Sequence, residues 1–151
     1  MVALLIKNGA DVNKTTREGA TALYYAAQLG NIGSIQVLLD GGADINHPMR
    51  DGSTPLLIAA QKGKKHVVQI LLERGADANV AMDAEHDNTT SLYISAQQGH
   101  YQCVQILLDA GADATALCWS GETPRMAARR RKQHHCENLL AQHESKLTQQ
   151  H

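Results

Sequence analysis

A five-residue phrase returns along this chain: Gly9-Ala-Asp-Val-Asn, Gly42-Ala-Asp-Ile-Asn, Gly75-Ala-Asp-Ala-Asn and Gly111-Ala-Asp-Ala-Thr, at steps of 33, 33 and 36 residues. A period of this length constrains the fold more than any composition could. It describes a short supersecondary unit that cannot bury its own apolar face and must stack on copies of itself. The stretch from Asp51 to Asn79 is one full unit. Thr54 caps a helix and Pro55 follows at the first helical position, where its missing N–H costs nothing. Leu56, Ile58, Ala59 and Ala60 form an apolar face with small residues, and Gly63 breaks the pattern. A second helix carries Val67, Val68, Ile70, Leu71 and Leu72 on its buried stripe, and Gly75 ends it with positive φ.

The helix starts repeat independently, as Thr21-Ala-Leu, Thr54-Pro-Leu, Thr90-Ser-Leu and Thr123-Pro-Arg. With these anchors the chain resembles the ankyrin repeat family, from Val2 to about Gln142. The resemblance implies an all-α fold, a solenoid of stacked helix-turn-helix units with hairpin fingers. One repeat domain is expected over residues 1–144. It divides into a partial repeat 1–16, repeats 17–49, 50–82 and 83–118, and a C-terminal capping repeat 119–144, followed by a disordered polar tail, 145–151.

Val2, Leu4, Leu5 and Ile6 match Ile35, Val37, Leu38 and Leu39, so the chain opens inside a repeat, with a second helix and no first. A segment of a longer array accounts for this, with Met1 an internal methionine or an artificial start. The alternative is that the open face of an otherwise monomeric chain is covered by a partner or, through self-association, by a second copy. At the other end, Arg125 replaces the helix-one leucine, Lys132 the inter-helix glycine, and Glu137 an apolar residue that would face a further repeat.

Where the family places a histidine after the helix-one leucine, this chain has Tyr24, Leu57, Tyr93 and Met126. Apolar or phenolic packing is expected in place of that histidine's hydrogen bond. The finger between the third and fourth units is three residues longer and acidic. Its Asp83, Glu85 and Asp87 do not make a calcium loop, because Asn88 and Ile94 stand where glycine and a bidentate glutamate are needed.

Composition excludes little, since a formal charge of −1 in 151 residues gives no global pull toward nucleic acid. No stretch of about 18 apolar residues and no secretory leader is visible. Three cysteines suit a reducing compartment, and Cys103 and Cys136, one repeat apart, are roughly 8–10 Å from each other on stacked helices, too far for a disulfide. Cys118 reads as a loop thiol. An intracellular protein follows, cytoplasmic with the nucleus as alternative. His134, His135, Cys136 and His143 do not converge on a metal, because adjacent helical residues diverge around the axis. No metal, no cofactor and no catalytic set is expected.

The resemblance implies a protein-binding scaffold whose finger tips and first helices form one concave contact surface. The family's variable positions fall on Arg17, Glu18, Ala20, Gln28 and Leu29, then on Arg50, Asp51, Ser53, Gln61 and Lys62. They continue on His86, Asp87, Thr89, Gln97 and Gln98, then on Trp119, Ser120, Glu122, Arg130 and Arg131. A targeting or regulatory arm of a larger enzyme or effector is the alternative. A weaker one is nucleic-acid contact through Arg129 to Lys132, with Lys62, Lys64 and Lys65 a lesser patch. Trp119 is expected to be exposed as a contact residue, the alternative being that its indole folds back over the end of the array beside Leu117 and Cys118.

Overall fold

The computed structural model describes residues 2–150. Met1, His151 and the side chains of residues 2, 3 and 84 lie outside the described residues, and with them the readings of Met1 as a start and of the Val2 side chain as apolar stripe. Among the described residues there are nine α-helices and no strand, only an isolated antiparallel bridge between Ala81 and Thr90. After α1 (Val2–Lys7) the helices come in pairs. These are α2 (Ala22–Leu29) with α3 (Ile32–Asp40), α4 (Pro55–Gln61) with α5 (Lys65–Glu73), α6 (Ser91–Gln98) with α7 (Tyr101–Asp109), and α8 (Pro124–Arg130) with α9 (His134–Gln149).

Each first helix starts at the threonine that the sequence singles out. The hydroxyls of Thr21, Thr54, Thr90 and Thr123 accept from the backbone N–H of Tyr24, Leu57, Tyr93 and Met126. That bond satisfies a donor the helix itself cannot use, and removing such a cap typically costs about 1 kcal/mol. First helices stack on first helices, α2 on α4, α4 on α6 and α6 on α8, while α1 packs on α3, α5 on α7 and α7 on α9. Ala27, Ala59, Ala60, Ala96, Ala127 and Ala128 are fully buried in these contacts. A larger side chain there would force the helices apart, at about 1–3 kcal/mol.

The recurring Gly-Ala-Asp-x-Asn phrase acts as a joint between units. Gly42, Gly75 and Gly111 have φ of 89°, 95° and 86° and turn the chain out of the second helix. The carboxylate of Asp11, Asp44 or Asp77 then accepts from the N–H two residues on. The asparagine so placed reaches the next unit: the side-chain oxygens of Asn13, Asn46 and Asn79 accept from the N–H of Asp44, Asp77 and Asp113 at 2.7–2.9 Å. One side chain per unit thus fixes the spacing of neighbours.

The end of the chain departs from expectation. The tail from Ser145, expected to be disordered, continues α9 to Gln149, making that helix 16 residues long against nine for α3, α5 and α7. The reason lies one period after Gly111, where Glu144 takes the place of the helix-ending glycine. Nothing there prefers positive φ, so the helix runs on. Glu144 also meets Arg125 at 2.7 Å, so the two residues that break the repeat pattern pair with each other. Lys132, in place of the inter-helix glycine, keeps that turn's positive φ, 59°.

Candidate functional site

Four fingers project between the helix pairs, and their backbones bind each other directly. The N–H of Arg50 donates to the Glu18 carbonyl, that of Asp83 to Asp51, and that of Trp119 to Asp87, at 3.0–3.1 Å. Three rungs therefore tie the finger tips into one row. Close approach is built in: a Cβ on Gly52 would lie 2.7 Å from the Asp83 nitrogen, and Gly52 also has φ of 80°. Only glycine meets both demands.

The rungs locate the three extra residues of the long finger. Arg50 and Asp51 are adjacent, but their counterparts by hydrogen bonding are Asp83 and Asp87, with Ala84–His86 between them as a turn of 3-10 helix. His86 therefore sits on the insertion and is not the equivalent of Arg50. Its imidazole lies 2.5 Å from the Asp83 carboxylate, which raises its pKa and lowers that of Asp83. Asp87 and Asn88 supply the left-handed turn, φ 67° and 52°, that glycine makes in the other fingers.

Of the expected contact residues, Arg17, Glu18, Arg50, Gln61, Lys62, His86, Asp87, Gln98, Trp119, Arg130 and Arg131 are exposed, as are Leu29 and Ser120. Gln28, Asp51, Gln97 and Glu122 are half-buried. Three variable positions are not surface at all: Ala20, Ser53 and Thr89 are buried. Their place at the base of each finger, beneath the next unit, withdraws them from any partner. Ser53 instead lies 3.2 Å from the hydroxyl of Tyr24.

That contact corrects the expectation of packing without a hydrogen bond. Tyr24 reaches Ser53, and Tyr93 donates to the Glu122 carboxylate at 2.8 Å, each phenol crossing to the finger of the next unit. Burial and the Glu122 carboxylate push the Tyr93 pKa well above its ordinary value. Arg130 grips the same carboxylate in a fork, with both contacts at 3.0 Å. Held by Arg130 first and Tyr93 second, Glu122 stays below the usual carboxylate range. Glu122 and Arg130 thus satisfy each other, and Arg131 beside them has no acidic partner among the described residues.

Trp119 is 71% exposed, and Leu117 beside it 56%, so the indole does not cover Leu117. Cys118 is a free thiol in the loop, as expected, but a buried one, its sulfur 3.0 Å from the Ser120 hydroxyl. Cys103 and Cys136 are buried free thiols, and burial pushes Cys103 up to about 11. The ring of an exposed His135 stands edge-on to Tyr101, while the next residue, Cys136, turns into the core.

Stacked helix pairs, joined by rungs of backbone and asparagine, define a helical repeat solenoid. The sequence matches the family model for ankyrin repeats (3 copies) over residues 1–82 and again over 80–151, and the chain belongs to the ankyrin repeat family. A search of curated protein sequences gives no match. Ankyrin repeats are generally protein–protein interaction modules. Among the described residues, no helix is long and apolar enough to cross a membrane.

Proposed function

We propose that the chain is a scaffold that captures a protein partner on the concave face made by its finger tips and first helices, with no catalysis of its own, in the cytoplasm. The observation that carries this reading is Trp119, whose backbone is pinned to Asp87 while its indole stands in solvent. A large rigid side chain held ready on a fixed main chain loses little entropy on binding, and tryptophan is the residue type most enriched among binding hot spots. Leu117, also exposed, adds a second apolar group two residues away.

The test uses a partner recovered by pull-down with the intact chain and then purified. Trp119→Ala should leave melting within about 0.5 kcal/mol of the parent, because the indole buries little, and weaken the partner by about 2 kcal/mol or more. Unchanged affinity would move the contact surface to the earlier fingers, Arg17 and Arg50 first.

A further inference from the structure

The formal charge of −1 conceals two edges of opposite sign. The fingers carry Glu18, Asp51, Asp83, Glu85, Asp87 and Glu122 against Lys14, Arg17 and Arg50. The opposite edge is made by the turns that join the first and second helix of each pair. Over residues 28–35, 61–68, 97–105 and 129–136 it contains no carboxylate at all. It contains seven lysines and arginines, and the other ionisable groups along it are the imidazoles His66, His100, His134 and His135 and the Tyr101 phenol, with the thiols of Cys103 and Cys136 buried beneath.

The sequence scatters these charges over two distant runs, and the fold joins them. The Lys64 side chain lies across Gly30, the His100 ring across Gly63 and the Gln133 side chain across Gly99, so that the four turns stack in one line. His100 Nε2 is 2.9 Å from the Gln61 carbonyl, and Tyr101 stands edge-on to His135, which ties neighbouring turns to each other. Shallow grooves of about 310 and 390 Å³ run between the turns, lined by Ile32, Lys64, Lys65 and Val67 in one case and by His100, Tyr101 and Gln102 in the other. Arg129 is held by Glu137 and Arg130 by Glu122. Lys62, Lys64, Lys65, Arg131 and Lys132 have no acidic partner among the described residues. The first turns of α5 and α7, which begin on this edge, carry no acid either, so the helix dipoles add to its positive field.

We propose that this turn edge is a second docking surface, distinct from the finger face, and that its occupant is an extended acidic segment of a protein. Magnitudes select that occupant. Three steps of roughly 8–10 Å between stacked helices give a strip of roughly 24–30 Å. An extended chain covers that length in about seven to nine residues. A segment of that size, rich in Asp and Glu, brings a number of charges comparable to the five free cations. Duplex DNA, at one charge per roughly 1.7 Å, would bring about 15 along the same strip, with the carboxylates of the fingers opposing the excess. Nor does the edge offer a ladder of aromatic rings for unpaired bases, since Tyr101 already meets His135.

The intact chain is titrated, at low ionic strength, into a fluorescein-labelled peptide of about ten residues alternating Glu and Ser. A Gln/Ser peptide, a DNA oligonucleotide in single-stranded and duplex form, and phosphatidylcholine vesicles containing phosphatidylserine are measured alongside. The acidic peptide binds, the neutral peptide does not, and added salt weakens the complex. Lys64→Glu with Lys65→Glu, and separately Arg131→Glu with Lys132→Glu, each lower its affinity about tenfold or more, whereas Arg17→Glu with Arg50→Glu on the fingers changes it less than about twofold. Lys64→Gln with Lys65→Gln gives a smaller loss of the same sign, which separates lost attraction from damage to the fold. The proposal is overturned if DNA or the vesicles bind more tightly than the peptide, if the finger pair matters as much as the edge pairs, or if the peptide does not bind at low ionic strength.

Discussion

Leu5, Leu38, Leu71, Leu107 and Leu140 occupy one position of the repeat. The last is fully buried and the first is 52% exposed, beside Leu4 at 61% and Tyr25 at 45%. Residue type is the same at both ends of the row, so the neighbour decides. An apolar hollow of about 400 Å³ opens at the first end, lined by Leu5, Ile6, Val12, Tyr25 and Leu38. At the other end, α9 runs two turns further than its counterparts and clamps α8 with the Arg125–Glu144 and Arg129–Glu137 pairs. Stability in a stacked array is a sum of unit and interface contributions, and these two ends differ in the second.

The strongest way to break this comparison is the matched pair of truncations. Leu140→Ala should cost about 2–5 kcal/mol, as for a fully buried leucine, and Leu5→Ala less than about 1 kcal/mol. Chemical denaturation of both variants reads the difference directly, and equal losses would mean that the first end is covered in solution. Hydrogen exchange sharpens the same point. The amides of the first 16 residues should open with at least about 2 kcal/mol less free energy than those of α4 and α5, in a sample shown to be monomeric. A smaller effect is expected from Glu144→Ala, which leaves the Arg125 guanidinium half-buried without its acid; about 1 kcal/mol is expected at neutral pH. If that loss is unchanged in the Arg125→Leu background, the pair is not what seals the end.

What was legible in the sequence was whatever depends on local chemistry. Four threonines cap four helices, glycines occupy left-handed turns, and the two cysteines one period apart are buried, because each needs only its own few residues to specify it. What was not legible depends on a partner a repeat away. Nothing near Tyr24 announces Ser53, 29 positions on, and nothing near Glu122 says that Arg130 and Tyr93 will share its carboxylate. The length of α9 is also written locally: one period past Gly111 stands Glu144 where a helix-ending glycine would be, with no stop signal. The burial of Ala20, Ser53 and Thr89 required knowing how closely the fingers lie, which the 2.7 Å gap at Gly52 reveals and the sequence does not.

The long finger shows how such an array absorbs change. Its three additional residues are confined to Ala84–His86, after one rung donor and before the next rung acceptor, so the bonds at Asp83 and Asp87 survive and α6 starts on its threonine as the others do. A lengthening placed between two rungs, rather than inside one, is mechanically silent to the helices behind it. This makes the Asp83–Asp87 loop a natural graft point: foreign peptide inserted there would be displayed on a clamped base, with the frame's registry left untouched.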